Sequence, residues 1–488
     1  MASIPTNTPT SSTLKVRTFA SENFLRFLIM KKIVSLVCSI AFSTSMMAGG
    51  LMTNTNYHIA FDRMFARGAT TDIDGIFSNP AGMAFGHEGW QLSLNFQKPW
   101  QNRDIDATFA YGKDASGAPL MYQKKYNGKA YAPIVPAIFA AYKHNRWSIS
   151  SMIGIVGSGG FVKYDDGLPM FDQPLMGAFF QKGLTPDKYQ FDSQVKGKQY
   201  IYGGQVNFAY RFTRHLSGAV GIRANYYNGY YRGHVIASTI PALGSKQLVN
   251  LQLDVDQRGW GFTPVVSVNY KIQKFTFAAK YEFRTKVETK NRTNSLSVDM
   301  NNTAVDVKAL AENIGNEAAV AALKTSMGDM ADKIADYLPD EKTRYDMPAL
   351  LAVAVGYEFL PCLRATAEYH FYDDKNAKMA HDRQKELTRG THEILAGVEW
   401  DINKKFTVSC GGQRTDYGLS DGYQQDTSFA CDSWSIGLGG AWNINQKVRL
   451  NASYFCSLYS NYDKVAPTIK ETFSRTNHVI GVGIDYKF

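Results

Sequence analysis

Apolar and polar residues alternate with a period of two through most of the chain beyond residue 88. In the last segment, "HVIGVGIDYKF", one face carries Ile480, Val482, Ile484, Tyr486 and Phe488, and the other carries mostly glycine and polar residues. Successive side chains of a strand point to opposite faces, so each such run predicts a β-strand with one apolar face. The pattern predicts an all-β protein, but alternation alone also fits a water-soluble sandwich.

The number of these segments and the lengths of their connections favour a membrane barrel over a sandwich. Fourteen segments begin near Trp90, Ile134, Arg146, Gln199, His215, Asn250, Lys274, Tyr345, Cys362, Thr391, Lys405, Ser433, Lys447 and Asn477. Short connections such as "KHNR", "RFTRH", "KIQK" and "INKK" alternate with long ones. The long ones cover roughly residues 99–133, 158–198, 230–249, 288–344, 375–390, 419–432 and 461–476.

Short turns at one end and long loops at the other are typical of an outer-membrane barrel. Aromatic residues recur beside the short turns, among them Tyr142, Trp147 and Phe212, which is typical of a membrane interface. We therefore predict a 14-stranded antiparallel transmembrane β-barrel over residues 89–488, in a Gram-negative outer membrane with both termini in the periplasm. The terminal Phe488 is the expected recognition signal for the barrel-assembly machinery.

The N-terminus predicts a secretion signal. From Met30 the chain reads "MKKIVSLVCSIAFSTSMMAGG", with two lysines, an apolar core and the small residue Ala48 at a plausible cleavage site. Residues 30–48 are therefore interpreted as a signal peptide, and residues 1–29 as an extension from a mis-called start codon. Their removal takes away five basic and one acidic residue, which lowers the net charge from +10 to +6.

The segment between the signal and the first strand, residues 49–88, predicts a plug, or hatch, inside the barrel. Eight strands already enclose a just-filled interior, so fourteen leave a wide lumen. The segment has apolar residues that would be left wet in a free tail, and "NPAG", formed by Asn79, Pro80, Ala81 and Gly82, favours a tight turn. A disordered periplasmic tail is the alternative.

Two stretches resemble a known family. "ARGATTDIDGIFSNPAGMA" is similar to the N-terminal hatch of the long-chain fatty-acid transporter (FadL/TodX) family, whose hatch carries an Asn-Pro-Ala turn. "RGWGFTPVVSVNYKIQKFTFAAKYEFRTKV", residues 258–287, resembles that family's Gly-Trp-Gly strand, short turn and following strand. The resemblance covers residues 49–488 and implies a fourteen-stranded barrel closed by an N-terminal plug.

Two long loops carry apolar side chains that suit capture of a hydrophobic ligand. One stretch is "GLPMFDQPLMGAFFQKGL"; the other, residues 304–338, has apolar residues at helical spacing and predicts a helical hairpin outside the cell. The candidate capture residues are Met170, Phe171, Leu175, Met176, Phe179, Phe180, Leu323, Met327 and Met330. The alternative is that the two loops bury these residues against each other as a cap.

The third segment, "SISSMIGIVGSGGFVKY", contains glycines that weaken a strand and mark bulges. The family resemblance implies a kink in this strand, through which a hydrophobic ligand leaves sideways into the membrane. Gly154 and Gly157 are the candidates for the kink. Gly159 and Gly160 are interpreted as a plain strand end.

A ligand with a carboxylate head group needs a cation. By strand parity the lumen-facing candidates are Arg223, Lys280, Arg284 and Lys286. The alternative for each is structural pairing with a lumen or hatch carboxylate, because a barrel interior normally satisfies its charges internally.

Composition narrows the partners. The basic residues are scattered along the strands rather than gathered in a patch, which argues against nucleic acid. The sequence shows no nucleotide loop and no metal-binding spacing, so no cofactor or metal is expected. Cys362, Cys410, Cys431 and Cys456 are far apart and are interpreted as free, buried thiols.

The predicted function is passive outer-membrane transport of hydrophobic compounds, either long-chain fatty acids or small aromatic hydrocarbons. A general porin for polar solutes and a surface receptor or adhesin are the alternatives. A barrel-embedded enzyme is disfavoured, because none of the histidines lies in a recognisable catalytic context. His370 beside Glu368 is interpreted as a hydrogen-bonded filler of the lumen.

Overall fold

The computed structural model describes residues 57–300, 303–327 and 334–488. The predicted upstream extension (1–29), the predicted signal peptide (30–48) and the start of the predicted plug (49–56) lie outside the described residues. So does the candidate capture residue Met330.

Nineteen strands form one antiparallel sheet. They are β1 (Gly89–Lys113), β2 (Pro119–Tyr131), β3 (Val135–His144), β4 (Trp147–Tyr164), β5 (Tyr189–Arg211), β6 (Leu216–Thr239), β7 (Gln247–Ile272), β8 (Phe275–Glu282), β9 (Glu288–Met300), β10 (Thr303–Asp306), β11 (Lys342–Arg344), β12 (Leu350–Leu360), β13 (Leu363–Tyr372), β14 (Thr391–Asp401), β15 (Phe406–Asp416), β16 (Ser433–Asn443), β17 (Val448–Tyr459), β18 (Tyr462–Ala466) and β19 (Ile469–Lys487).

The sheet is a closed barrel that the chain crosses fourteen times, as predicted. The second crossing is made by β2 and β3 together, the seventh by β8 and β9, and the eighth by β11 and β12, while β10 and β18 belong to loops. The first and last strands close the ring, with partners from Gln91 and Lys487 at one end to Phe109 and Ile469 at the other. Closure means that neither the first nor the last strand forms a free edge of the sheet.

The outer face of the barrel is apolar around its middle. Side chains such as Ile153, Val206, Phe262 and Ile394 are exposed there, while their strand neighbours point into the lumen. Alternation of this kind puts lipid-facing residues outside and polar residues inside. No helix of the described part is long and apolar enough to cross a membrane, which says nothing about a β-barrel.

The end of the barrel that carries the short turns is called here the turn end, and the other the loop end. Much of the predicted long loops proves to be strand. β1 and β2, for example, form a hairpin that covers most of residues 99–133, and β6 and β7 cover most of residues 230–249. The alternation continues there, but the outer face becomes polar, so an apolar-face criterion misses these strand extensions.

The described residues form five α-helices in the lumen or at the loop end: α1 (Ile59–Asp62), α2 (Gly75–Ser78), α3 (Pro169–Gln181), α4 (Val307–Ile314) and α5 (Asn316–Met327). Short 3₁₀ helices cover Pro80–Phe85, Pro186–Lys188, Pro241–Leu243, Asp374–Asn376 and Ala380–Glu386. The break between α4 and α5 falls at Gly315, whose φ of 84° favours glycine. The helical hairpin predicted over residues 304–338 is therefore present as α4 and α5.

The four cysteines of the described residues are free. Only Cys431 is buried, whereas Cys410 is exposed on the outer face. Interpreting all four as buried thiols is therefore wrong for three of them: Cys410 points outward from β15, and Cys362 and Cys456 are half-buried.

Candidate functional site

The hatch, residues 57–88, spans the lumen near the turn end. Helix α1 packs against β16, β17, β19 and β1 on one side of the barrel. The 3₁₀ turn Pro80–Phe85 packs against β4, β5, β6 and β7 on the other side. Most hatch side chains are buried, including Ile76 and Met83 at 0% exposure. The hatch is therefore folded against opposite walls rather than trailing from the barrel.

The "NPAG" turn is bound to the wall by hydrogen bonds. The Ala81 backbone N–H donates to Ser267 Oγ at 2.9 Å, and Ser217 Oγ donates to the Ala81 carbonyl at 2.7 Å. Asn79 Nδ2 donates to Asn269 Oδ1 at 3.2 Å. Pro80 stands at the first position of the 3₁₀ turn, where its missing N–H costs nothing. These contacts fix the turn in the lumen.

A single wall carboxylate holds the other half of the hatch. Glu399 of β14 forms an ion pair with Arg63 and lies 3.7 Å from Arg67 Nη1, and both arginines belong to the hatch. Two wall arginines share the same carboxylate: Arg364 Nε donates to Glu399 Oε1 at 2.8 Å, and Arg449 lies 3.9 Å away. Glu399 is fully buried, so its loss would leave Arg63, itself buried, without a carboxylate partner, whereas Arg67 keeps Asp74 and Arg364 keeps Asp401.

Glycines in the wall let the hatch backbone approach closely. A Cβ added at Gly411 would lie 1.9 Å from the Met64 carbonyl oxygen, and one added at Gly397 would lie 2.2 Å from it. Both distances are shorter than any atomic contact permits, so only glycine fits at these wall positions. The strand pattern does not predict this contact, because glycine within a strand indicates only a weakened strand.

The candidate capture residues on α3, together with Leu323, are packed together. Phe171, Leu175, Met176 and Phe179 of α3 are buried in one apolar cluster, called here the cap, with Leu323 of α5 and residues of the surrounding strand ends. Met170 is half-buried against the cap, and Phe180 contacts Tyr111 with ring centroids 5.7 Å apart. Met327 is the last residue of α5. The geometry agrees with the alternative that the two loops bury each other.

Little room remains inside the cap. The apolar cavity beside Phe171, Tyr231 and Leu253 holds about 30 Å³, roughly the space of one water molecule. A larger groove of about 970 Å³ lies open on the outer side of α3, where Tyr111, Met170 and Phe180 meet polar residues such as Lys113. A hydrophobic ligand can rest in this groove without repacking the cap, but it must displace cap side chains to go deeper.

One buried carboxyl contacts the start of α3. The Asp426 carboxyl accepts a hydrogen bond from the Met170 N–H at 2.7 Å, at the start of α3. Burial, together with the nearby Glu471 carboxylate, raises the pKa of Asp426 well above its usual range. The folded cap therefore favours the protonated acid, and its stability falls as the pH rises above the ordinary Asp range.

We expect hydrogen exchange of the α3 amides, corrected for intrinsic rates, to lose protection as the pH rises above the ordinary titration range of Asp. An Asp426→Asn variant should flatten this profile, since the amide stays neutral. The exposed Asp421→Asn variant is the control. Protection that is constant or rises with pH in the parent protein would contradict the assignment.

The barrel wall is interrupted between the second and third crossings. Pairing of β3 with β4 ends at Ile138 and Ile153, and pairing of β2 with β4 resumes at Tyr131 and Phe161. Between these pairs, residues 132–137 face residues 154–160, so six residues stand opposite seven. We call this interruption the wall gap. It lies in the third crossing, the segment for which the sequence predicts a kink.

Two features of the chain account for the wall gap. On the β4 side, the register with β5 shifts between Ile155 and Gly157 and again between Ser158 and Gly160. On the other side stand Pro133 and Pro136, which have no N–H to donate to a ladder. The two prolines of "YAPIVP" also indicate an interruption of the ladder, which a prediction based on glycines alone does not include. Gly160, interpreted as a plain strand end, has a φ of 74° and lies at the second shift.

The lumen behind the wall gap is apolar. Val156 and Ala137, which border the gap, belong to a buried cluster with Ile76, Phe77 and Met83 of the hatch. Val156 is fully buried and lies over Gly203, where an added Cβ would come within 2.4 Å of it. The gap thus lies between the outer surface and the apolar cluster that wall and hatch residues form together.

The candidate head-group cations are not available to a ligand in the lumen. Arg223 is fully buried in an ion pair with Glu282. Lys280 Nζ lies 2.7 Å from Glu282 and also donates to the hatch carbonyl of Phe77 at 2.9 Å. Arg223 and Lys280 are therefore structural, in agreement with the alternative that each pairs with a carboxylate of the lumen.

Arg284 and Lys286 do not face the lumen. They are exposed on the outer side, because the seventh crossing is broken between β8 and β9. Glu282 and Thr285 both point inward although they are three residues apart, so the parity shifts by one across the break. The parity prediction for these two cations is wrong for that reason.

A different pair of cations faces the lumen at the loop end. Arg103 of β1 and Arg475 of β19 are direct cross-strand partners, and they are 4% and 8% exposed. Arg475 Nη2 donates to Gln101 Oε1 at 3.4 Å, while its Nε and Nη1 have no hydrogen-bond partner within the described part. Like charges directly opposite each other are unfavourable, so this pair suits an anionic group. This arginine pair was not predicted from the sequence, because β1 and β19 become neighbours only when the barrel closes.

His370 lies between two carboxylates of the wall. Its Nε2 is 3.0 Å from Glu368 and its Nδ1 is 3.2 Å from Glu393. Glu368 also accepts a hydrogen bond from the backbone N–H of Gly68 in the hatch. The histidine is thus hydrogen-bonded on both sides, in agreement with its interpretation as a filler of the lumen.

A closed barrel of fourteen crossings, a folded N-terminal hatch and a wall gap beside an apolar lumen define a plugged barrel. No protein-family model and no curated protein sequence matches the chain. Among solved structures, a FadL homologue of Pseudomonas aeruginosa is similar at 13% identity and a TM-score of 0.64, covering 90% of this chain and all (100%) of that one. The Pseudomonas putida toluene transporter TodX is similar at 13% identity and a TM-score of 0.52, covering 91% of this chain and 97% of that one.

The chain has the fold of the FadL and TodX outer-membrane proteins. The resemblance stated from the hatch and the Gly-Trp-Gly hairpin is confirmed at the level of the fold.

Proposed function

We propose that the protein is an outer-membrane transporter that takes up hydrophobic compounds passively and releases them sideways into the membrane. The wall gap is the observation that carries the proposal. A lumen blocked by the hatch needs another exit, and the gap opens at the apolar cluster above the hatch. Release into lipid keeps an acyl tail out of water, which saves about 0.8 kcal/mol per CH₂.

The proposed route has three stages. The open groove outside α3 first holds the ligand at the loop end. Movement of the cap then admits it to the lumen, where the apolar cluster around Phe77, Met83 and Val156 receives its tail. The ligand finally leaves through the wall gap. No step needs an energy source, because each stage moves the ligand between apolar surroundings.

The ligand class we propose is a hydrophobic carboxylate, of which long-chain fatty acids are the simplest. Arg103 and Arg475 support this choice over neutral aromatic hydrocarbons, since a buried pair of opposed arginines gains most from an anion. A general porin agrees less well with the structure, because the hatch packs against both walls of the lumen.

We expect an Arg475→Gln variant to lose oleate uptake by about tenfold while uptake of a neutral hydrocarbon is unchanged, since one charge-assisted contact is worth about 1.5–3 kcal/mol. The variant should fold normally, because removing one of two opposed cations relieves repulsion. Radiolabelled uptake by cells that lack their own transporter measures both ligands.

The control is Arg414→Gln, which removes an arginine from the outer face, where it lies over the Trp434 ring. Unchanged oleate uptake in Arg475→Gln, or an equal loss for both ligands, would contradict the head-group assignment. Absence of oleate and hydrocarbon uptake by the parent protein would contradict the transport function itself.

A further inference from the structure

The outer surface of the barrel between β5 and β9 carries basic side chains that the transport route does not use. Six of them, called here the basic belt, are Lys198, Arg232, Arg258, Lys286, Lys290 and Arg292. They lie on four neighbouring crossings, and five of the six are exposed, Lys198 being half-buried. The basic side chains are therefore clustered on one side of the barrel, together with the acidic residues Asp254, Asp256, Glu288 and Asp340.

The basic belt lies directly beyond the apolar face, towards the loop end. Trp260 is 60% exposed, and its ring packs against that of Tyr226 at a centroid distance of 4.7 Å. Arg258 precedes Trp260 by two residues on the same face of β7, about 7 Å closer to the loop end. Exposed tryptophan and tyrosine mark the level of lipid head groups. The belt thus stands at head-group height on the loop side.

The charges of the basic belt are only partly neutralised by the protein. Arg232 forms ion pairs with Asp254 at 3.0 Å and Asp256 at 3.2 Å, and Lys290 is paired with Asp340 at 2.9 Å. Lys198 lies over the Tyr230 ring at 5.0 Å. The other members form a group without acidic partners.

Within the described part of the chain, Arg258, Lys286 and Arg292 form no ion pair, although Asp256 stands directly opposite Arg292 on the β7–β9 ladder and is itself paired with Arg232. Arg258 also faces Lys290 directly across the β7–β9 ladder. Opposed cations at this spacing repel each other unless an anion lies between them. Arginine side chains bind phosphate through two parallel hydrogen bonds, so phosphate is the anion that this arrangement fits best.

We propose that the basic belt binds the phosphate groups of an acylated, phosphorylated glycolipid in the outer leaflet, of the lipopolysaccharide type. The acyl chains would lie along the apolar strip below the belt, where Phe262 and Val266 are exposed. A free phosphate ion would gain nothing from this adjoining apolar surface. The inference rests on the outer-membrane location in the proposed function, but not on transport.

The test measures binding of bis-phosphorylated lipid A to the full-length chain, purified in detergent, by native mass spectrometry. We expect an Arg258→Gln/Arg292→Gln variant to bind at least about tenfold more weakly, since two charge-assisted contacts to the phosphate groups are lost. Lipid A without its phosphates should bind the parent protein as weakly as the variant binds the phosphorylated lipid.

The matched control is Lys405→Gln/Lys447→Gln, which removes two exposed cations at the turn end and should bind normally. Equal binding of both lipids to the parent protein, or unchanged binding by the belt variant, would overturn the proposal. Displacement by millimolar inorganic phosphate would show a phosphate site instead of a glycolipid site, and would overturn it too. Oleate uptake by the belt variant should be normal, so a failure of the transport function shows only in the uptake assay.

Discussion

Replacing Glu399 by alanine should release the hatch and turn the closed barrel into a conducting pore. The substitution removes the carboxylate that Arg63, Arg67 and Arg364 share. Breaking a buried pair by removing one partner costs about 3–5 kcal/mol, because a charge is left uncompensated. That cost falls on the contact between hatch and wall. Single-channel conductance in planar bilayers should rise from near background to steady openings.

The control for this experiment is Glu358→Ala, which removes an exposed carboxylate paired with Lys271 at 3.4 Å. Exposed pairs contribute about 0–1 kcal/mol, so conductance should stay at the parent level. A Glu399→Gln variant should show an intermediate effect, since the amide keeps the shape but not the charge. A closed, quiet channel in a correctly folded Glu399→Ala barrel would contradict the role given to this carboxylate.

Closing the wall gap should abolish uptake without opening the lumen. Deleting Val156 makes the facing segments equal, six residues on each side, and Pro133→Val with Pro136→Val restores two backbone donors. The ladder between the second and third crossings can then continue. We expect oleate uptake to fall to that of cells without the protein, while the hatch stays bound and conductance stays low.

The matched control is Pro264→Val, a proline on the outer face of β7, where pairing with β6 is continuous. It should leave uptake unchanged. Uptake at the parent rate by the closed-gap variant would mean that the ligand leaves by another path, and lateral release would have to be abandoned.

Most of the barrel was predictable from the sequence, because lipid and lumen impose opposite demands on successive residues. The fourteen crossings and their short turns were found on that basis. The lengths of the strands towards the loop end were not predicted. Water replaces lipid there, so the outer face becomes polar, as in the loop-end parts of β6 and β7.

The candidate site was less predictable, because it depends on breaks in the pattern and on contacts distant in sequence. Arg284 and Lys286 were misplaced by a one-residue shift between β8 and β9. Arg103 and Arg475 become neighbours only when β1 pairs with β19 at barrel closure, so no local sequence motif predicts the pair. The contact between the hatch and Gly411 depends on tertiary packing, so it cannot be predicted from the presence of glycine in a strand.

The most direct test of lateral release is photo-cross-linking of a diazirine-labelled fatty acid to the purified protein in lipid bilayers, followed by mapping of the modified residues. Lateral release predicts label at the borders of the wall gap, on Val135, Pro136 or Ile155, and loss of that label in the closed-gap variant. Label instead around Arg364 and Thr407, in the polar cavity of about 760 Å³ below the hatch, would contradict it. The ligand would then have passed the hatch towards the turn end.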